Sequence, residues 1–138
     1  MVGFATMRGV ASSGRARDWV DRYERAWRTP GTDGLAALFT DDAAYVPEPF
    51  AEPIRGLAAI AEFWEDGRAG ADEVFTLTAE VVAEEADRGV VRLEVVYGDP
   101  PTHRYRDLWV ITFDDDGRAR EFEEWPFFPG RGRLAPGD

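Results

Sequence analysis

The chain has 138 residues and a formal net charge of −11, since Asp and Glu total 27 against 16 basic residues. This acidic balance repels phosphate backbones, so we expect no nucleic-acid partner. The chain has no cysteine and a single histidine, His103, which excludes disulfides, thiol catalysis and a multi-histidine metal site, and we expect neither metal nor cofactor.

The N-terminal segment, residues 1–17, is rich in Gly, Ser and Ala and lacks hydrophobic periodicity. We interpret it as a flexible leader rather than a signal peptide, because it contains no sustained apolar run. No stretch approaches the roughly 18 apolar residues of a membrane-spanning helix. We therefore expect a cytoplasmic protein with no membrane partner, organised as one domain at residues 18–128 and a tail at 129–138.

An amphipathic helix is predicted over residues 18–28. Trp19, Val20, Tyr23 and Trp27 recur there at helical spacing, and charged residues fill the opposite face. The Thr-Pro-Gly sequence that follows is a typical helix end. The aromatic side of this helix is expected to pack against a sheet.

A short helix and a short strand are predicted next. Thr32 or Asp33 can cap the helix. Asp41 and Asp42 follow as a turn, and residues 43–46 then form a strand because they combine small and β-favouring side chains.

A proline-rich loop separates that strand from a further helix. Residues 47–53 contain three prolines, which exclude both a helix and an inner strand. The helix begins after Gly56, because Leu57, Ile60 and Trp64 recur at helical spacing.

The second half of the chain has the pattern of β-strands. Turn-like segments separate four β-rich runs, at 74–83, 90–97, 105–113 and 119–127. Helices that precede an antiparallel meander indicate an α+β fold. We expect a cone-shaped barrel, in which a strongly bent, mainly antiparallel sheet wraps around the N-terminal helices and encloses an internal pocket.

This order of elements resembles the nuclear transport factor 2-like superfamily, in its polyketide-cyclase-like (SnoaL-like) branch. The resemblance covers roughly residues 18–128 and is carried by Arg22-Tyr23 with Trp27, residues 35–43, Ile54-Arg55-Gly56 leading into Phe63-Trp64, residues 113–117, and Glu123-Glu124-Trp125. It implies the cone-shaped fold. It does not imply one activity, because the superfamily includes isomerases, dehydratases, epoxide hydrolases, cyclases and non-enzymatic domains.

Asp107 is the first candidate for catalysis. Strand alternation places it on one face with Tyr105 and Trp109. Burial on such an apolar wall would raise its pKa and suit it to general acid or base chemistry. The alternative is a structural Asp that pairs with a nearby arginine such as Arg104 or Arg106.

Glu124 in the last strand is a candidate second carboxylate, and the pattern leaves its orientation open. The two faces of that strand carry Arg120, Phe122 and Glu124 on one side, and Glu121, Glu123 and Trp125 on the other. If the first face points inward, Glu124 and Arg120 meet Asp107, and the two carboxyls and the arginine are close enough to push each other's pKa values apart. Otherwise the strand presents a solvated acidic edge.

Tyr23 is the third catalytic candidate, and its role is implied by the resemblance. Ketosteroid isomerases of the superfamily carry an oxyanion-hole tyrosine at the matching place in the first helix, and a buried phenol can donate to a developing oxyanion. The alternative is a core aromatic residue whose hydroxyl is satisfied.

The chain also departs from known active sites of the superfamily. The isomerases place their base Asp before a proline at the end of the first strand, where Glu48 would fit only with a shift of one residue. Limonene epoxide hydrolases use an Arg and an Asp two residues apart, whereas Arg106 and Asp107 are adjacent. Scytalone dehydratase needs histidines, and His103 is expected to be exposed in a loop.

Aromatic side chains are expected to form the wall of the pocket, because aromatic-lined pockets suit flat apolar ligands. Phe50, in the proline loop, could gate its entrance. The residues predicted to bind a ligand are Trp27, Tyr45, Phe50, Trp64, Tyr105, Trp109 and Phe122.

We interpret the chain as a SnoaL-like cavity protein for an apolar small molecule. It would perform cofactor-free acid–base catalysis, of the isomerase, cyclase or hydrolase type, on a carbonyl or epoxide compound. The alternative is a non-catalytic module for ligand binding or dimerisation. The resemblance also implies a homodimer through the outer sheet face, which would carry Leu108, Val110 and Trp125.

Overall fold

The structure, a computed structural model, describes residues 14–67 and 74–130. In chain order its elements are helix α1 (Arg15–Arg28), a 3₁₀ helix (Asp33–Ala37), strands β1 (Phe39–Val46) and β2 (Ile54–Arg55), helix α2 (Leu57–Gly67), and strands β3 (Phe75–Glu84), β4 (Arg88–Tyr97), β5 (His103–Phe113) and β6 (Ala119–Phe127). This α+β order confirms the predicted fold class. None of the helices in the described ranges has the length and apolar character needed to cross a bilayer.

One six-stranded sheet forms the body of the protein, in the order β2-β1-β6-β5-β4-β3. Neighbouring strands pair antiparallel except β1 and β6, which are parallel. Helix α1 packs against β3 and β4, and α2 packs against β1. The two helices therefore cover opposite halves of the sheet and leave room between them.

Helix α1 begins at Arg15, three residues before the predicted start. Ala16 is fully buried, and Arg15 donates a hydrogen bond to the carbonyl oxygen of Ala86 at 2.6 Å. Because of these tertiary contacts, residues 15–17 are helical although their sequence has little hydrophobic periodicity. The rest of the predicted leader, residues 1–13, and most of the predicted tail, residues 131–138, lie outside the described residues.

Strand β1 begins at Phe39, four residues earlier than predicted. The predicted turn at Asp41 and Asp42 is an irregularity inside the strand, where the register with β6 shifts between Phe39 and Ala44. Both aspartates are exposed there, and the hydroxyl of Thr40 donates to the Asp42 carboxylate at 3.1 Å. The prediction of a turn was wrong because a strand irregularity and a turn present the same exposed acidic pair.

The core lies between α1 and the inner face of the sheet. Trp19 is fully buried, with its ring centroid 5.7 Å from that of Trp109 and 5.0 Å from that of Phe122. Helix and sheet approach each other closely at Gly89, where an added Cβ would lie 3.0 Å from the Cβ of Ala16. Any larger residue at Gly89 would push α1 away from the sheet.

The alternation predicted for β5 is confirmed, since Asp107 and Trp109 lie on its buried face. The sequence did not decide which face of β6 points inward. In the structure Phe122 pairs with Ile111 and Glu124 pairs with Trp109, and both point inward. A register shift at the start of β6 leaves Arg120 as an extra, exposed residue. The predicted meeting of Arg120 with the two carboxyls is therefore wrong.

Candidate functional site

A cavity of about 180 Å³ lies between the helices and the inner face of the sheet. Its wall is mostly aromatic. Of the side chains predicted to react or to bind a ligand, those that line it are Tyr23, Trp27, Tyr45, Trp64, Tyr105, Trp109 and Glu124. The structure thus gathers most of the candidates around one space, and their roles in binding stay predictions.

Two predicted ligand-binding residues lie outside the cavity wall. Phe122 is fully buried behind it, with ring centroids 4.9 Å from Tyr45 and 5.1 Å from Trp109. Phe50 is 99% exposed in the proline loop, because that loop has no alternation that would turn the side chain toward the core. A gating role for Phe50 has no support in this geometry.

The other residues that were weighed also lie away from the cavity wall. Glu48 is exposed in the loop after β1. His103 is exposed as predicted, although it lies in β5 rather than in a loop, and its ring stacks on Tyr97 with centroids 4.6 Å apart. The described residues contain no group of three or more His, Asp or Glu side chains that could hold a metal ion.

Part of the wall was not predicted. The missed side chains that line the cavity are Phe63, Phe75, Leu77, Leu93, Val95 and Tyr97. Strand pairing could have found those of β4, because Leu93 pairs with Asp107 and Val95 with Tyr105. Paired residues share a face of the sheet, so an inward Asp107 also implies an inward Leu93.

Asp107 and Glu124 form a carboxyl pair beside the cavity. The indole N–H of Trp109 donates to Asp107 Oδ2 at 3.0 Å and to Glu124 Oε1 at 3.2 Å. The hydroxyl of Tyr45 donates to Glu124 Oε2. Asp107 is 2% exposed, and its other oxygen, Oδ1, is buried without a hydrogen-bond partner among the described residues.

The alternative in which Asp107 pairs with an arginine does not occur. Arg104 and Arg106 lie on the outward face of β5, where their nitrogens are 3.8 and 3.4 Å from the Glu94 carboxylate. In the part of the chain that the structure describes, no arginine reaches ion-pair distance of Asp107 or Glu124. The negative charge of this pair is therefore uncompensated by a neighbouring cation.

Burial and the neighbouring carboxylate keep Asp107 protonated. Burial has the largest effect, and the hydrogen bond and charge of Glu124 add to it, so that the pKa of Asp107 rises to about 10. The donors around Asp107 lower its pKa less than these effects raise it. At neutral pH Asp107 is therefore a carboxylic acid that can donate a proton, and it lies next to a carboxylate that can accept one.

Three tyrosines add neutral hydroxyl groups to the site. Burial raises the pKa values of Tyr23, Tyr45 and Tyr105, and the charge of Glu124 raises them further. The ring of Tyr23 lies 4.4 Å from that of Trp109. Among the described residues its hydroxyl has no hydrogen-bond partner, so it is available to a ligand.

The sequence matches the model of the SnoaL-like domain over residues 20–122. No curated protein matches the chain. The fold is similar to that of a protein assigned as a ketosteroid isomerase from Kribbella flavida DSM 17836, with 23% identity, 90% of this chain and 82% of that chain covered, and a TM-score of 0.62.

Two further solved structures have a similar fold. One is assigned as a polyketide cyclase from Sinorhizobium meliloti, with 24% identity, 78% of this chain and 93% of that chain covered, and a TM-score of 0.56. The other is SalBIII, an epoxide hydrolase/cyclase-like enzyme of pyran ring formation in the polyether salinomycin, with 15% identity, 84% and 93% covered, and a TM-score of 0.66. At such identities the likeness establishes a shared fold and leaves the activity open.

Proposed function

Since the chain belongs to the SnoaL-like domain family, we propose that it is a small-molecule enzyme that performs acid–base catalysis without a cofactor. The observation that carries this proposal is the buried pair of Asp107 and Glu124 beside an aromatic cavity. The proposed substrate is an apolar epoxide or carbonyl compound, and the proposed reaction is of the hydrolase, cyclase or isomerase type.

In the proposed reaction of an epoxide, Asp107 is the proton donor and Glu124 is the proton acceptor. Asp107 is 2% exposed and is not among the residues that line the cavity, so in this proposal its side chain turns toward the cavity to donate its proton to the epoxide oxygen as the carbon–oxygen bond breaks. A water molecule or a hydroxyl group of the substrate forms the new carbon–oxygen bond and gives its proton to Glu124. Glu124 then passes that proton to Asp107, which accepts from the same Trp109 N–H group, so the site is restored.

For a carbonyl compound Glu124 acts together with Tyr23 instead of Asp107, and it returns the proton that it removes to another carbon of the substrate. Glu124 would remove a proton next to the carbonyl carbon, and the Tyr23 hydroxyl would donate a hydrogen bond to the carbonyl oxygen. The unpartnered hydroxyl of Tyr23 supports this role.

The size of the cavity limits the substrate. Its volume of about 180 Å³ is close to the roughly 150 Å³ of an engineered cavity that holds benzene. It is smaller than the roughly 300–1,000 Å³ of typical sites for drug-sized ligands. We therefore propose a substrate about one ring in size.

Replacing Glu124 with Gln tests the catalytic proposal. We expect turnover of one-ring epoxides or ketones to fall by about 10²-fold or more, because an amide cannot accept the proton. Glu121→Gln is the matched control, since Glu121 is exposed on the same strand, and its rates should equal those of the unmodified protein. Binding of these compounds without any turnover would favour the non-catalytic module instead.

We also propose a homodimer through the outer face of the sheet. Leu108 and Val110 are half-buried on that face, and the side chain of Trp125 is 39% exposed. Light scattering should give twice the 15.4 kDa mass of one chain, and Trp125→Arg should give a monomer. Phe50→Arg, in the proline loop, should leave the mass unchanged, and a monomeric unmodified protein would refute the proposal.

A further inference from the structure

The lining of the cavity carries negative charge and no positive charge. Glu124 contributes a carboxylate, and no arginine or histidine is among the described residues that line the space. Arg28 comes near the wall at Phe75, with its guanidinium carbon 4.0 Å from the ring centroid. That charge is already paired, because Arg28 lies 2.8 Å from the Glu24 carboxylate.

The aromatic rings of the wall lie at steep angles to one another. The ring of Trp64 is 4.9 Å from Trp27 at an interplanar angle of 75°, and 5.1 Å from Tyr23 at 70°. Rings at such angles pack edge to face against one another, and all three line the cavity. Because the face of an aromatic ring carries partial negative charge, it attracts cations within about 6 Å of its centroid.

The strongest donors of the site are turned toward its own carboxyl groups. Trp109 donates to Asp107 and Glu124, and Tyr45 donates to Glu124. These N–H and O–H groups are therefore engaged, whereas the Tyr23 hydroxyl and the Trp64 N–H, which is buried without a hydrogen-bond partner among the described residues, are neutral donors of the lining. Since Glu124 is the one charged side chain among the described residues that line the cavity, the charge of the lining favours a positive ligand over a negative one.

We infer that the cavity binds small organic cations, namely ammonium compounds about one ring in size. A second step rests on the proposed function. There, the same preference for positive charge identifies the substrate class as an epoxide rather than a carbonyl compound. Acid-catalysed opening of an epoxide develops positive charge on carbon, which Glu124 and the ring faces stabilise. Removal of a proton next to a carbonyl develops negative charge, which they oppose.

Three probes of one shape and different charge test this inference. Cyclohexylammonium, cyclohexanol and cyclohexanecarboxylate each present one ring and one polar group, and they can be titrated calorimetrically at neutral pH. We expect cyclohexylammonium to bind about tenfold more tightly than cyclohexanol, since cation–π contacts of ~1–2 kcal/mol correspond to that ratio. The carboxylate should bind most weakly.

Two variants identify the source of the preference. Glu124→Gln should bring the affinities of the ammonium and the alcohol within about threefold of each other, whereas Glu121→Gln should keep the tenfold difference. Trp27→Leu should weaken binding of the ammonium more than that of the alcohol, because it removes a ring face. Circular dichroism and thermal unfolding of each variant establish that the fold is retained.

The outcomes separate this inference from the proposed function. Equal affinities for the ammonium and the alcohol, preference for the carboxylate, or no binding of any probe would each overturn the cation site. Epoxide turnover that depends on Asp107 would then still support the enzyme. Preference for the ammonium without turnover of any epoxide or ketone would support the cation site and contradict the catalytic proposal.

Discussion

Asp107→Asn is expected to reduce turnover by about 10²- to 10⁴-fold, the range that general acid catalysis contributes. Asn has nearly the same shape but cannot release a proton, so the substrate oxygen loses its proton donor. Asp107 is 2% exposed and lies behind the cavity lining. Binding of cyclohexylammonium should therefore change little while the rate constant falls.

The measurement is kcat for a one-ring epoxide or ketone that the unmodified protein turns over, taken from pH 6 to pH 11. In the unmodified protein the rate should fall as the pH passes the Asp107 pKa of about 10, because the acid is then ionised. Glu121→Gln serves again as the exposed control. A variant rate within threefold of the unmodified rate would remove Asp107 from the catalytic machinery.

The same substitution should stabilise the fold at neutral pH. In the unfolded chain Asp107 ionises near pH 4, whereas in the folded protein burial keeps it protonated to much higher pH. Between these two pKa values the folded state binds the extra proton, so the free energy of unfolding falls as the pH rises. Asn is neutral in both states and carries no such cost.

We expect Asp107→Asn to raise the free energy of unfolding at pH 7 by about 2–4 kcal/mol. The gain should shrink to about 0.4 kcal/mol as the pH is lowered to about 4, where Asp107 is protonated in the folded state and about half protonated in the unfolded state. Urea denaturation at pH 4, 5.5 and 7 measures this dependence, with Glu121→Gln as a variant that should show no change. A gain independent of pH, or a loss at pH 7, would mean that Asp107 is not held neutral by burial.

A lower turnover and a higher free energy of unfolding in Asp107→Asn would together show that Asp107 contributes to catalysis and destabilises the fold. A buried acid next to a carboxylate destabilises the protein, and natural active sites accept such costs where function requires them. The outward carboxylates of β6 give a contrast, because Glu121 is exposed to solvent.

Local sequence patterns predicted the features that depend on neighbours in the chain. The apolar spacing of α1 and the alternation of β5 placed Tyr23 and Asp107 on inward faces without any knowledge of the fold. Glu124 was different, because both faces of β6 carry acidic and aromatic residues. Its orientation depends on the pairing with β5 and on the extra residue Arg120, which no local pattern specifies.

The contacts that complete the site were beyond prediction for the same reason. Tyr45 was expected to line the pocket, but its hydrogen bond to Glu124 joins residues that are 79 positions apart. Phe50 shows the opposite error, since a large aromatic residue in a loop was assigned a binding role. Its 99% exposure reflects the path of the proline-rich loop, which composition alone does not determine.

The parallel pairing of β1 with β6 has a consequence for synthesis on the ribosome. Domains fold as their chain emerges from the N-terminus onward, yet β1 pairs with the last strand and otherwise only with the two-residue strand β2. An emerging chain that ends before β6 therefore holds β1 with an open edge, which is prone to pairing with other chains. Glu124 also lies in β6, so the carboxyl pair cannot form until β6 has been synthesised. The candidate site is therefore completed only after the other strands have emerged.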